Sequence, residues 1–135
     1  MSSARARSRG ATQPVPEQEA TARAEAEHTT CVDSGLPLTA RTLFAVVNAD
    51  GSLVRGLGAA TANRLRTGMY QVVFDQDVTA ASFVGTVGLT SSSGLAPAGQ
   101  IAVAGRTGIR NAVFVTTFDG AGVAADRPFH LAVLS

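Results

Sequence analysis

From Leu43 to its last residues the chain alternates short apolar runs with dipeptides that end in glycine, and this punctuation constrains the fold more than any other feature. Asn48-Ala-Asp-Gly51, Arg66-Thr-Gly68 and Phe118-Asp-Gly120 each stand between runs rich in Val, Phe and Thr. Glycine in such a place supplies the positive φ that a tight hairpin turn requires. The runs are Leu43–Asn48, Ser52–Leu57, Met69–Phe74, Ser82–Leu89, Ile101–Ala104, Ala112–Phe118 and Phe129–Leu134, with Ala62–Leu65 as an eighth. No window of this region has helical periodicity. Turn signals spaced this closely mark an all-β fold, an antiparallel sandwich or small barrel of about seven or eight strands.

Alternation along the runs assigns their faces, because successive side chains of a strand point to opposite sides. Tyr70, Val72 and Phe74 form one stripe; Phe83, Gly85, Val87 and Leu89 a second; Phe129, Leu131 and Val133 a third. Phe114, Thr116 and Phe118 oppose Val113, Val115 and Thr117 on one strand. The opposite faces are poor in charge: Met69, Gln71 and Val73 on one run, Ser82, Val84 and Thr86 on another. A monomer rarely exposes large contiguous apolar patches, so self-association into a homo-oligomer is expected.

Residues 1–40 differ in kind. Up to position 35, Val15 and Val32 are the only apolar side chains larger than alanine after Met1, Cys31 apart. Such a stretch buries too little surface to offset an ordering entropy of roughly 1–2 kcal/mol per residue. It reads as a disordered or weakly helical tail, with Glu17–Glu27 its helix-forming part, ahead of an all-β domain over 41–135. The basic start Met1–Arg9 is followed by Gln, Glu, Pro, Thr and Ala rather than an apolar core, so no secretion signal is expected. That places the chain in the cytoplasm or in a phage-like particle. No run approaches the ~18–20 apolar residues of a spanning helix, and no membrane span is expected. Eleven arginines face ten carboxylates, with no lysine, for a net charge of +1. So weak a field names no nucleic-acid partner.

Catalysis needs a positioned nucleophile, base or metal, and each candidate has a simpler reading. His130 could pair with Asp126, but a strand histidine facing solvent or a neighbouring subunit is the plainer role. His28 lies in the tail, and two histidines on such different segments make a poor metal pair. Asp75-Gln-Asp77 lacks the further oxygens of a calcium loop, and its carboxylates read as turn residues bonded to local backbone. Gly56-Leu-Gly58 has no following lysine or helix, Ser91–Ser93 lack the nucleophile-elbow context, and Cys31 has no electropositive partner. The loop Thr90–Gly99 carries no acid, base or ligand. No catalytic residue, metal site or cofactor is therefore expected. Arg64, Arg66, Arg106 and Arg110 flank turns; Arg106 and Arg110, with Tyr70, are the residues best suited to touch an anionic or glycan ligand.

Three stretches carry a family likeness: Phe44-Ala-Val-Val-Asn-Ala-Asp-Gly-Ser-Leu-Val-Arg55, Leu65-Arg-Thr-Gly-Met-Tyr-Gln-Val-Val-Phe74 and Ala81-Ser-Phe83. Together with the closing run Phe129–Leu134, they resemble the C-terminal all-β tip domains of phage tail fibres and related uncharacterised actinobacterial proteins. The resemblance covers residues 43–134. It implies an often trimeric, non-enzymatic structural or adhesive module that binds a surface or assembles with its own copies. The alternative is a monomeric carbohydrate- or small-ligand-binding protein. Surface glycans or another protein are the outside partners either reading allows.

Overall fold

The structure, a computed structural model, describes residues 12–16 and 41–135. The tail reading for the rest of the first forty residues, with His28 and Cys31, lies outside the described residues. From position 41 the chain is all-β. Its eight strands are β1 (Thr42–Val47), β2 (Leu53–Leu57), β3 (Ala59–Arg66), β4 (Met69–Phe74), β5 (Ser82–Val87), β6 (Gln100–Gly105), β7 (Ala112–Phe118) and β8 (Phe129–Leu134). They form two antiparallel four-stranded sheets, β2-β1-β8-β5 and β3-β4-β7-β6, packed as a sandwich.

The period-two pattern explains the packing. Leu43, Ala45 and Val47 of β1 meet Phe129, Leu131 and Val133 of β8 from one sheet; Tyr70, Val72 and Phe74 of β4 and Val113 and Val115 of β7 come from the other. The Val, Leu and Phe side chains among them each contribute about 1.5–3 kcal/mol when fully buried. The Tyr70 and Phe129 rings join the layers edge to face, 5.1 Å apart at 62°. Phe83 of β5 and Ile101 and Val103 of β6 pack on the flank of this core. A Cβ on Gly85 would lie 3.0 Å from Ile101 and 3.1 Å from Val103, so β5 and β6 approach closely where the two sheets meet.

Two turn expectations need correction. The Ala112–Phe118 and Phe129–Leu134 runs flank Asp119-Gly120, yet β7 and β8 lie in different sheets. Asp119 does make a local turn, its carboxylate accepting the Ala121 and Val123 N–H groups. The positive φ falls at Gly122, not Gly120, and the chain continues through Asp126 across the end of the sandwich. Another of the chain's sheet switches is abrupt: Gly58 alone separates β2 from β3.

Gly68 carries out the role its sequence context implied. It has φ +67°, its N–H meets Asp126, its carbonyl accepts the Thr117 N–H at 2.8 Å, and a Cβ there would lie 2.5 Å from the Thr117 carbonyl oxygen. Gly68→Ala is expected to cost about 1–3 kcal/mol from backbone strain alone. Gly120→Ala, whose nearest neighbour would be the Ala98 Cβ at 3.8 Å, should stay within about 0.5 kcal/mol of neutral. Equilibrium urea unfolding of the two variants checks the contrast.

Candidate functional site

Each sheet turns one face to the core and one outward, so among the described residues the surfaces open to a partner are the two outer faces and the loops at their ends. Directly paired residues share a face, which lets the outer surfaces be read row by row. On the first sheet one row runs Leu57–Phe44–Ala132–Val84 across β2, β1, β8 and β5. The next is Arg55–Val46–His130–Thr86, and Leu134 lies between Thr42 and Ser82 beyond the first. Leu57 is 55% exposed, Val84 56%, Leu134 49% and Phe44 38%. A shallow depression of about 360 Å³ lies over Phe44, Val84 and Ala132.

The polar end of this face braces a loop. The Arg55 guanidinium donates to the Thr90 carbonyl at 2.8 Å, Thr90 donates its hydroxyl to Asn48 Oδ1 at 2.8 Å, and His130 Nε2 lies 2.8 Å from the Leu89 carbonyl oxygen. His130 therefore ties β8 to the start of the 88–99 connection. It does not pair with Asp126, because that carboxylate is engaged at a different corner. Asp126 Oδ1 accepts the Gly68 N–H at 2.7 Å, and Oδ2 accepts Arg64 Nε at 2.9 Å.

Tyr70 lies inside, not on the surface. Its ring has no exposure, and its hydroxyl donates to the Ala49 carbonyl at 2.7 Å, with Asp126 Oδ1 at 3.3 Å. Burial, with the negative Asp126 beside it, pushes its phenol above the ordinary value. Arg110 is the opposite, 82% exposed with Asp77 at 3.9 Å. Asp77 is the turn residue its sequence implied, capping the Thr79 N–H and hydroxyl. Asp75 instead faces Arg41 at 3.5 Å.

Arg106 is the unexpected member of the set. It is buried against the outer face of the second sheet, its Nε donating to Gln71 Oε1 at 2.7 Å and its guanidinium carbon 5.8 Å from the centre of the Phe114 ring. Nothing in the sequence signals that an arginine beside a turn would fold back over the neighbouring strands β7 and β4. Burial lowers its pKa from the ordinary value. Phe114 shows the consequence: it points outward from β7, opposite Gln71, yet it is buried. Arg106, Arg110 and Tyr70 thus occupy three different environments: covered outer face, open solvent and core.

Among the described residues no group of three or more His, Cys, Asp or Glu could hold a metal ion, and no helix is long and apolar enough to cross a membrane. The chain matches no family model, no curated protein and no solved structure.

Asp126 yields a pH prediction. Desolvation pushes its carboxyl up, but the Gly68 N–H, the Arg64 guanidinium and the Tyr70 hydroxyl outweigh it and hold the pKa below the usual 3.8. A depressed folded-state pKa contributes stability above the unfolded pKa and loses it as pH falls through the folded value. Asp126→Asn should therefore destabilise by about 1–3 kcal/mol at neutral pH, since the Arg64 and Gly68 bonds are weakened. The difference from the parent should shrink below about pH 4, where Asp126 of the unfolded parent begins to protonate, and close as pH falls through the lower folded-state value. Thermal unfolding midpoints recorded from pH 2 to 7 for both proteins test this; a gap that stays constant across the range contradicts it.

Proposed function

We propose that the chain is a non-enzymatic structural or adhesive β module, of the kind found at tail-fibre tips, that assembles with copies of itself as a homo-oligomer, with a trimer the expected number. The observation that carries this reading is the row Leu57–Phe44–Ala132–Val84. Four apolar side chains cross the whole width of a sheet, and three of them are more than a third exposed. Isolated exposed apolar residues are ordinary, but a contiguous stripe with Leu134 beside it marks an association surface.

The surroundings have the anatomy of such a surface. Arg55, His130, Thr86, Thr42 and Ser82 form a polar border on the same outer face. A stable contact needs about 800 Å² from each partner, on the scale of one small-sheet face. Two such faces pack side chain to side chain at about 10 Å, as the two layers of a sandwich do.

The 135-residue chain at micromolar concentration is expected to sediment as an oligomer. Phe44→Asp and Val84→Asp, each placing a charge in the middle of the row, should raise the dissociation constant at least about tenfold, the equivalent of one desolvated charge costing 1.4 kcal/mol. Their circular dichroism should be unchanged, because neither side chain belongs to the core. A parent chain that sediments as a monomer throughout, or two variants that associate as the parent does, refutes the reading.

A further inference from the structure

The second sheet presents a different situation: part of its outer face, at Arg106 and Phe114, is covered, and the cover is part of the chain. The segment Thr12–Pro16 lies along the end of the β6–β7 hairpin. Gln13 Nε2 donates to the Gly105 carbonyl at 2.9 Å, and Gln13 Oε1 accepts the Thr107 N–H at 2.8 Å. One side-chain amide thereby satisfies a backbone acceptor and a backbone donor two residues apart, as the main chain of an added strand would. Between them, Arg106 NH1 donates to the Pro14 carbonyl at 2.6 Å and stands 3.3 Å from Gln13 Oε1.

The chemistry of the occupant matches the chemistry of the seat. The oxygens that meet the buried guanidinium belong to Gln71, Gln13 and Pro14, all neutral amides. Pro14 has a carbonyl to offer and no N–H to leave unpaired. Pro16 reaches the neighbourhood of Gly108, its Cγ 3.7 Å from where a Cβ would stand. A groove of about 290 Å³ continues from Thr12 and Gln13 over Met69, Phe114, Thr116 and Phe118.

We propose that this face is a peptide-binding site that reads a Gln-Pro dipeptide in an extended segment, and that the chain's own Thr12–Pro16 occupies it in cis. Twenty-four positions, 17 to 40, join the segment to the residue before β1. A connection of that length gives an effective concentration of about millimolar order, well above micromolar free protein, so the chain's own segment outcompetes one from a second copy. The site is separate from the apolar row on the first sheet, and its test is independent of oligomeric state.

The Thr107 amide is the probe, because its acceptor is the Gln13 side chain 94 positions away. Hydrogen exchange followed by NMR in the full chain should accelerate at Thr107 by about tenfold or more in Gln13→Ala, the loss of a net hydrogen bond and of the cover over it. The Arg106 amide, bonded to the Ala112 carbonyl at 3.0 Å, should stay protected and so report an intact fold. A synthetic peptide spanning residues 10–18, Gly-Ala-Thr-Gln-Pro-Val-Pro-Glu-Gln, should restore Thr107 protection in Gln13→Ala, and the same peptide with alanine in place of the glutamine of position 13 should not. Equal Thr107 exchange in parent and variant overturns the proposal, as does failure of millimolar peptide to restore protection. Parent protection that falls on dilution shows the segment arriving from a second copy and overturns the cis assignment.

Discussion

The fold depends on how one phenol is satisfied. Tyr70 closes the sandwich by setting its ring edge to face against Phe129, and this contact takes its hydroxyl out of solvent. A buried hydroxyl without a partner costs about 1–3 kcal/mol, so the ends of the sandwich must deliver acceptors to it. They do so from two separate connections: Ala49 in the β1–β2 turn offers its carbonyl, and Asp126, between β7 and β8, its carboxylate. Asp126 in turn fixes the β3–β4 turn through Gly68 and the end of β3 through Arg64. Three connections from both sheets are thereby tied to one ring, and the layers cannot slide without breaking the set.

This dependence explains what could be read from sequence and what could not. Met69–Phe74, Ala112–Phe118 and Phe129–Leu134 match β4, β7 and β8 to the residue, because large apolar side chains recur there at every second place and local pattern suffices. β3 was legible only over Ala62–Leu65. As an outer strand whose side chains are mostly small or polar, it has little alternation to show, and it is held instead by pairing with β4. The sheet assignment of β7 and β8 was not legible from the glycines around Asp119. Whether two runs pair or part at a turn depends on what the far side of the turn must reach, here Asp126 and the Gly68 corner.

The candidate site divides along the same line. Tyr70 offered an aromatic ring and a hydroxyl, the features of a ligand platform, but the alternation that put Val72 and Phe74 inside puts Tyr70 there as well. Arg106 looked like a solvent-facing charge beside a turn. Its burial comes from partners on other elements: Phe114 across the hairpin on β7, Gln71 on β4 and a tail segment more than ninety positions away. Arginine suits that seat where lysine would not. Its planar fork lies over the Phe114 ring while separate nitrogens serve Gln71 on one side and Pro14 on the other. In a chain without lysine, the residue type alone gave no clue to which of its arginines had this role.

The two outer faces then set limits on any assembly. Phe44 and Phe114 are equivalent in position, each central on the outward side of its sheet, but Phe44 is 38% exposed and Phe114 8%. If both faces were bare, first-face-to-second-face contacts could repeat without end, and heterologous contacts of that kind produce open filaments unless the rotation closes. With Arg106 and the Gln13-Pro14 segment over part of the second face, first-face-to-second-face contacts are hindered there, and the row on the first face is the surface that the proposed assembly would use. A two-fold pair would use the row against itself. A trimer would have to divide it, the Leu57 edge of one copy meeting the Val84 edge of the next. Because the row reaches from one side strand of the sheet to the other, it supplies both edges that a three-fold arrangement requires.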